Sequence, residues 1–472
     1  MPIGVDEWVA QHTDREDAGT GWRRWTYVVA ARVGWWPRLS IALLVGLIFG
    51  QLSLNVNLET VAVNCLIYAI LAIGLNIAVG WAGLLDLGYV AFFGFGAYGY
   101  AIFSSTALAT NGHGAVHLPA IESIPIVMVG AGVFGALIGL MALRVSGDYL
   151  AIVTLFVGQA FMEVVNNVDT GTLGGVNGLY GLDPIHGFGG QIVTPNGYYY
   201  FALLVTVALL ALLHLLDESR TGRAWRSVRE DELAAQAMTV PVGALKVMAI
   251  SFGAIVGALA GAIFAAQQDN VFPTNFTANI LILIYACLVL GGAGSLAGAV
   301  LGGIVVTAGE QMVSSPTDAG YLFYGLILLA LIVKLRPWRT LAAVLASTVV
   351  LGVVLRAIVG AISSSATAGP PGSGGWIGSL VRHWVIVPTK ATGYGNVLYI
   401  VLICAVFAIV RLPARYRPFA MVPTLYVAAC CWESRLVVNP SITAQILVGA
   451  ILIATMAARP QGLLGTMRVE VV

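Results

Sequence analysis

Long apolar runs separated by short polar segments form the main pattern of the chain. Fourteen runs can be counted, some of them shorter than the roughly 20 residues that a membrane-spanning helix needs. They fall near residues 39–57, 60–80, 84–106, 123–143, 148–166, 198–216, 247–267, 278–292, 296–314, 321–335, 340–362, 393–411, 418–432 and 442–458. In lipid, a single segment can satisfy all of its backbone hydrogen bonds only as a helix. The pattern therefore predicts an all-α, polytopic integral membrane helical bundle of about 14 spans. It leaves open whether the short runs 278–292 and 418–432 cross completely.

Basic residues lie almost entirely on one side of this predicted bundle. With every run spanning and the N-terminus in the cytosol, the outside receives only Arg382, Lys390 and Arg435 of the 23 lysines and arginines, and Arg356 falls within a run. Cytosolic loops of membrane proteins carry an excess of Lys and Arg. The bias therefore predicts that both termini are cytosolic, and that the polar segment 217–246 is cytosolic as well.

The composition excludes an ordinary soluble domain. Hydrophobic residues make up 59% of the chain and charged residues only 10%, whereas soluble domains carry about 25% charged residues. Residues 1–38 mix acids, arginines and tryptophans, which predicts a cytosolic lead-in at the membrane interface. The net charge of +1 gives no reason to expect nucleic acid as a partner. We expect a multi-pass membrane protein.

Motifs of enzymatic chemistry are missing from the sequence. A P-loop requires a lysine directly after glycine, but Lys246, Lys334 and Lys390 follow leucine, valine and threonine. No GxSxG or HExxH motif occurs, and His113 and His117, four residues apart in a glycine-containing loop, are not expected to bind metal. The chain itself is therefore expected to be no enzyme and to hold no cofactor.

The densest charge lies in Ser219–Val240, which holds four arginines and three consecutive acids. Ser227 and Glu230 fit the S-x-x-E capping box, so a helix of about eleven residues is predicted with Ser227 as its N-cap. Pro241 ends the predicted helix, and the acids of its first turn are favoured by the helix dipole. Such a helix is too polar to insert in lipid. It is expected on the cytosolic face, as a solvated loop helix or as a docking element.

The stretch REDELAAQAM, Arg229–Met238, resembles the EAA loop of ABC importer permeases. In that family a short cytosolic coupling helix docks on a separate ATPase subunit. The resemblance implies that the coupling residues are Glu230, Asp231, Ala234 and Ala235, with Arg226 and Arg229 orienting the helix on its partner. One position departs from the family pattern, because Thr239 stands where a glycine usually follows the alanines.

Further stretches resemble the branched-chain amino-acid branch of these permeases, the LivM-type family. They are GLNIAVGWAGLLDLGYVAFFGFGAY (Gly74–Tyr98), GDYLAIVTL (Gly147–Leu155), LGGVNGL (Leu173–Leu179), GGAGSLAGAVLGG (Gly291–Gly303) and RPQGLLG (Arg459–Gly465). The resemblance implies a permease subunit that pairs with a second, related permease in the lipid bilayer. It also implies two ATPase subunits that use ATP and Mg, and an extracytoplasmic substrate-binding protein. Branched-chain or related small amino acids are the implied substrates, and urea and short amides stay open.

A path for a small zwitterion needs polar groups that replace water. Asn76 and Asp86 flank the turn Gly80–Gly83, while Gly175 and Asn177 lie in a loop predicted to be external. These four are the candidate substrate-path residues. Asn76 is equally suited to a helix–helix hydrogen bond, and Asp86 to capping a helix. The loop 167–196 contains no Lys or Arg, and either faces the binding protein, as the resemblance implies, or closes as a lid.

The sequence predicts four parts. Residues 1–38 are the lead-in, 39–335 the permease core with its coupling loop 217–246, 336–440 additional helices with a Pro/Gly/Ser-rich external loop, and 441–472 the final span and cytosolic tail. The additional helices are interpreted as an insertion before the last span. Two other functions stay open at this stage. One is an ion-coupled secondary transporter that uses Asp86, Glu163 or Glu310, and the other is a membrane scaffold that transports nothing.

Overall fold

The computed structural model divides the chain into two compact units, 1–277 and 278–472. The residues it describes are 35–51, 56–105, 118–145, 148–168, 173–187, 190–334, 338–363, 367–370, 372–388, 391–411, 413, 417–436, 439–458 and 462–464. Most of the predicted lead-in, both histidines of the pair and most of the C-terminal family motif lie outside the described residues. The four predicted sequence parts stay a prediction.

The first unit is a helical bundle whose long helices match the predicted runs. Its helices are α1 Trp35–Gln51, α2 Val56–Leu75, α3 Tyr89–Ser104, α4 Ala120–Ala142, α5 Asp148–Asn167, α6 Pro195–Glu218, α7 Arg220–Glu230, α8 Glu232–Ala237 and α9 Val242–Gln268. A π-helical turn, Asn76–Trp81, extends α2. The run 84–106 begins its helix only at Tyr89, because residues 82–88 form a turn after the π-helix.

Glycines let α9 pack closely against α2, α3 and α4. A Cβ atom on Gly261 would overlap the carbonyl oxygen of Phe93, and one on Gly96 would overlap the Ala258 backbone. Gly135 lies in the same way against Ala254. Small residues allow such close approach where lipid removes the hydrophobic drive between helices.

The helices of this unit alternate in direction between two ends. At one end Trp35 stacks on His214 with ring centroids 4.3 Å apart, and Trp81 stacks on Trp225. At the other end residues 173–187 and 190–193, which are rich in glycine, form short strands and turns. The start of α1, the end of α2 and the segment 217–246 therefore share one end. We call 217–246 the charged hairpin and 173–193 the glycine-rich segment.

The second unit is also helical. It contains α10 Ala278–Gly291, α11 Leu296–Ser314, α12 Pro316–Lys334, α13 Trp338–Ile362, α14 Gly375–Val381, α15 Ala391–Arg411, α16 Arg417–Cys431 and α17 Pro440–Ala458, with a π-helical turn at Trp432–Leu436. α17 packs against α10 and α11, while α16 packs against α13 and α15. Gly298 and Gly302 lie against the α10 backbone, and Gly294 belongs to the turn between α10 and α11.

Two ionisable side chains hold the second unit together. The Glu433 carboxylate accepts hydrogen bonds from Tyr324 Oη (3.0 Å), Ser373 N (2.8 Å) and Ser373 Oγ (2.7 Å). The Arg356 guanidinium donates to the carbonyl oxygens of Val385 (2.5 Å) and Thr367 (3.1 Å). Buried charge is costly unless it is hydrogen-bonded. These bonds therefore attach the described residues between α13 and α15 to α12, α13 and the π-helical turn.

Eight helical segments within the described ranges are long and apolar enough to span a membrane. They are Val56–Trp81, Ala120–Met141, Tyr149–Asn167, Pro195–Glu218, Val242–Gln268, Pro273–Gly291, Leu296–Ser314 and Thr340–Ile362. Four shorter apolar helices accompany them, at 89–104, 316–332, 393–409 and 442–453. The all-α, polytopic fold is confirmed, whereas the cytosolic location of the termini stays a prediction.

Candidate coupling hairpin and substrate path

The charged hairpin contains two helices, not one. α7 ends at Glu230 and α8 begins at Glu232, with Asp231 in extended conformation between them. Asp231 Oδ1 accepts hydrogen bonds from the backbone amides of Leu233 (2.9 Å) and Ala234 (3.0 Å), so Asp231 is the N-cap. The predicted cap at Ser227 is wrong. Ser227 lies inside α7, and its hydroxyl bonds back to the carbonyl of Ala224.

A tight corner joins α6 to α7. Ser219 caps α7 by accepting a hydrogen bond from the amide of Gly222 at 3.3 Å. A Cβ atom on Gly222 would overlap the carbonyl oxygens of Asp217 and Leu216. Arg226 closes the corner, because its guanidinium bonds to the Asp217 carboxylate at 2.7 Å. The charge predicted to orient the hairpin on a partner thus forms an ion pair within the chain.

One face of α7 packs onto the bundle. Trp225 is fully buried, stacks on Trp81 at 6.1 Å and donates its indole N–H to the carbonyl of Leu245 at 2.9 Å. The Arg229 guanidinium donates to the carbonyl of Gly80 in the π-helical turn. Gly222, Trp225 and Arg229 follow helical spacing, so they share a face. Of the residues predicted for coupling, Arg229 therefore lies towards the bundle.

α8 attaches to α9 through a second ion pair. Lys246 Nζ lies 2.7 Å from Glu232 Oε1, and Lys246 is only 8% exposed. Ala235 is also buried, so it faces the bundle rather than a partner. The remaining side of α8 is open, with Ala234 and Gln236 exposed. The structure thus separates the two predicted alanines, with Ala234 outward and Ala235 inward.

Two apolar side chains that sequence reasoning did not single out stand on this open side. Leu233 is 77% exposed and Met238 is 76% exposed. Glu230 and Asp231 are exposed beside them. Large apolar side chains among charges are typical of protein-interaction surfaces. One sequence feature could have indicated them: Leu233 and Met238 are large apolar residues at the two ends of a short segment that is otherwise too polar for lipid.

Thr239 makes the bend for which the family usually has glycine. Its φ is +63°, in the left-handed region that β-branched residues rarely adopt. The Thr239 amide bonds to the carbonyl of Gln236 at 3.0 Å, and Val240 N bonds to Ala235 O at 3.1 Å. Both bonds satisfy carbonyls at the end of α8. Thr239 in place of the usual glycine thus keeps the bend, but its left-handed φ strains the backbone.

The first two candidate substrate-path residues lie at the hairpin end of the unit. Asn76 opens the π-helical turn and is completely buried. Asp86 follows in the loop between the membrane-spanning segments, also buried, and accepts a hydrogen bond from Gly88 N at 2.9 Å. Burial raises the pKa of the Asp86 carboxyl to about 6, although the Gly88 and Thr154 hydrogen bonds oppose this shift. Asp86 thus closes a turn before α3 but is not the helix cap that the sequence left open, because the N-cap of α3 is Gly88.

The other two candidates lie at the opposite end. Gly175–Asn177 forms a single 3₁₀ turn, in which Gly175 is buried and Asn177 is exposed. Strand β1, Leu179–Tyr180, pairs antiparallel with β4, Asn270–Val271, which directly follows α9. β2, His186–Gly187, pairs with β3, Gly190–Gln191. Since α9 has 27 residues and a helix rises about 1.5 Å per residue, the four residues do not form one site.

An aromatic cavity of about 410 Å³ lies between α3, α4 and α5. Its lining includes Phe95, Tyr98, Phe103 and Phe161, with aliphatic side chains between the rings. Within the part of the chain that the structure describes, no charged side chain lines it. A zwitterion needs polar groups to replace its hydration, so this cavity does not by itself recognise the charged ends of an amino acid.

Comparison with known proteins identifies the family. Residues 57–332, more than half of the chain, match the family model described as branched-chain amino acid transport system / permease component. The chain belongs to this family. The permease is thus a multi-pass protein of the bacterial inner membrane, and the resemblance seen in its motifs is confirmed.

The permease is similar to several curated proteins. It is 32% identical over 322 residues to the high-affinity branched-chain amino acid transport system permease protein LivM of Escherichia coli strain K12, covering 63% of this chain and 72% of that protein. It is 26% identical over 241 residues to a probable LivM of Methanocaldococcus jannaschii, covering 48% of this chain and 66% of that protein. LivH of Escherichia coli strain K12 is 24% identical over 278 residues, covering 56% of this chain and 89% of that protein. No solved structure matches the chain.

Proposed function

We propose that this permease is the membrane subunit of an ABC-type importer for branched-chain or related small amino acids, driven by separate ATPase subunits that dock on α8. The observation that carries the proposal is the open side of α8, where Leu233, Ala234 and Met238 are exposed beside Glu230 and Asp231. Family membership supports the transport role.

The chemistry of this surface suits a groove on a partner protein. Leu233 and Met238 would enter an apolar groove, because burying a large apolar side chain contributes about 1.5–3 kcal/mol. Glu230 and Asp231 would face basic residues at its rim, where charge complementarity sets orientation. ATP and Mg would be used by the partner, consistent with the absence of a P-loop from this sequence.

Further partners follow from the relatives. The chain is similar both to LivM and to LivH, two different permease proteins of one organism. We therefore propose pairing with a second, related permease. An extracytoplasmic binding protein would deliver substrate to the glycine-rich segment, where Val176 and Asn177 are exposed at the tip.

The test is purification of the chain from its native membranes in mild detergent, with mass spectrometry of the proteins that accompany it. Two ATPase subunits and a second permease are expected. Ala234→Arg should remove the ATPase subunits and abolish leucine uptake, because the side chain projects from α8 into the partner. Ala244→Arg adds the same charge at an exposed position on α9 and should keep both.

Other results would contradict the proposal. A chain that catalyses uptake alone, sensitive to ionophores, would be an ion-coupled transporter. A chain whose deletion leaves uptake of all tested solutes unchanged would be a scaffold. Uptake of urea or a short amide by a complex that takes up no leucine would identify those compounds as substrates in place of amino acids.

A further inference from the structure

The π-helical turn at the end of α2 receives a hydrogen bond from the charged hairpin. In a continuing α-helix the amide of Leu84 would bond to the carbonyl of Gly80. Here Leu84 N bonds to Ala78 O at 2.9 Å, because the helix widens and ends. The Arg229 guanidinium donates to the Gly80 carbonyl instead. Helix ends need such outside donors or acceptors, so α7 completes the end of α2.

A second contact between α7 and the π-helical turn is made by two tryptophans. Trp225 stacks on Trp81, the last residue of the π-helical turn, with an angle of 24° between the rings. Trp225 also packs edge-on against Phe252 of α9 at 6.2 Å. Gly83, with φ of +72°, brings the loop so close to Arg229 that an added Cβ would lie 3.0 Å from its Cγ atom. The turn and α7 are therefore closely packed against each other at both Trp225 and Arg229.

These contacts lie on the side of the hairpin opposite to its open surface. Asp231 separates α7 from α8, so a force on the exposed side of α8 reaches the bundle through α7 and through the Lys246–Glu232 pair. The α7 route ends at the turn that carries Asn76 at its start and Asp86 shortly after it. π-helical turns occur frequently at functional sites, and both polar side chains are buried here.

We infer that Arg229 and Trp225 are positioning residues that transmit movement of α8 to the π-helical turn 76–81, and so to Asn76 and Asp86. The inference rests on the proposed function, because it needs ATPase subunits that move α8. It assigns Arg229 a different role from partner docking. Arg229 holds the receiving element inside the permease, whereas Ala234 and Leu233 hold the driving subunit outside it.

The experiment uses the purified complex with its partners, reconstituted in vesicles. Arg229→Met keeps the apolar stem and removes every donor, whereas Arg229→Lys keeps a charged donor. Arg223→Met is the matched control, because Arg223 also donates to a backbone carbonyl, that of Glu218 at 2.7 Å, but within the hairpin. Three quantities are measured for each variant: retention of ATPase subunits, leucine uptake, and ATP-dependent labelling of the turn.

The labelling rate measures how accessible the loop directly after the π-helical turn is. Leu85, which is 42% exposed in the loop after the turn, is replaced by cysteine and its rate of reaction with a maleimide is followed. The exposed Cys404 is replaced by serine, and the other four cysteines are buried. In the otherwise unmodified complex, addition of ATP should change the labelling rate. A merely structural role of Arg229 would leave that ATP-dependent change in place.

The expected result is a separation of docking from transmission. Arg229→Met should retain its ATPase subunits but lose uptake by at least about tenfold, as for removal of a charge-assisted hydrogen bond, together with the ATP-dependent change in labelling. Arg229→Lys should restore most of the uptake, and Arg223→Met should behave like the unmodified complex. If Arg229→Met proves too unstable to purify, Arg229→Gln, which is uncharged and too short to reach the Gly80 carbonyl, takes its place with the same expected losses.

Two results would overturn the inference while leaving the importer in place. In one, Arg229→Met, or Arg229→Gln as its replacement, retains both uptake and the labelling change. In the other, Arg229→Met loses its ATPase subunits, which makes Arg229 a docking residue. Failure of the proposed function itself is seen in the unmodified chain, as purification without ATPase subunits, and would overturn both.

Discussion

The charged hairpin and the glycine-rich segment lie at the two ends of α9 and are attached to it by different means. The hairpin is held by side chains, since Trp225 donates to Leu245 and Lys246 pairs with Glu232. The glycine-rich segment is held by backbone, through the β1–β4 pairing and the hydrogen bond from Gly181 N to Asp269 O at 3.1 Å. The hairpin can therefore be weakened by removing side-chain atoms, and the segment by adding them.

The largest expected effect is on the side-chain attachment. Trp225→Ala should lower the free energy of unfolding by about 3–5 kcal/mol, because it leaves a cavity where a fully buried indole lies between Trp81 and Phe252. Trp225→Phe keeps an aromatic ring and loses the hydrogen bond to Leu245, at a cost of about 1 kcal/mol. Thermal unfolding of the purified complex in detergent measures both. Equal losses for the two variants would contradict a packing role for the indole.

An intermediate effect is expected on the backbone attachment. Gly178 has φ of +71°, and its added Cβ would overlap the carbonyl oxygen of Val271 in β4. Gly178→Ala should therefore open the β1–β4 pair and speed amide hydrogen exchange at Leu179 and Val271.

Gly181 supplies the matched control for that variant. Its φ is +68°, but an added Cβ would meet no atom within 4 Å. Gly181→Ala should show only the left-handed strain of about 1–2 kcal/mol. If both variants exchange at the same rate, overlap with Val271 does not matter, and the comparison between the two ends of α9 loses its basis.

The smallest effect is expected at Thr239, where the hairpin itself uses a left-handed residue. Thr239→Gly should raise the free energy of unfolding by about 0.5–1 kcal/mol, because glycine adopts φ of +63° without strain. Thr239→Ala keeps a Cβ atom and should bring less than half of that gain. Thermal unfolding of the purified complex in detergent measures the difference. A loss of stability in Thr239→Gly would show that the threonine side chain contributes more than its backbone costs.

Much of the fold could be predicted because apolar length in lipid is a property of consecutive residues. Among the residues that the structure describes, each of the fourteen predicted runs falls mainly on one helix. The position of the hairpin followed from local charge. The cap within it did not, because Ser227 and Asp231 are both good N-caps and four residues apart. Because Trp225 and Val228 are buried, α7 continues from its cap at Ser219 through Ser227. Asp231 is therefore left as the cap of α8.

The candidate site was predicted only in part. Six hairpin residues were named from the resemblance, and the structure divides them. Glu230, Asp231, Ala234 and Arg226 are exposed, although Asp231 also caps α8 and Arg226 pairs with Asp217, whereas Ala235 is buried and Arg229 bonds to the bundle. Leu233 and Met238 were not named, because exposure cannot be read from a segment only six residues long, less than two turns of helix. The roles of all these residues stay predictions.

By itself the sequence determined that this protein is a helical membrane bundle with a charged hairpin between two spans. Both properties come from composition over short windows, where lipid favours one kind of residue and water another. Only the tertiary structure decided that Arg229 reaches Gly80, 149 residues away along the chain, and that Asn76 and Asn177 lie at opposite ends of α9. Such pairs depend on how helices pack, and close packing is a property of shapes in contact rather than of neighbours in sequence.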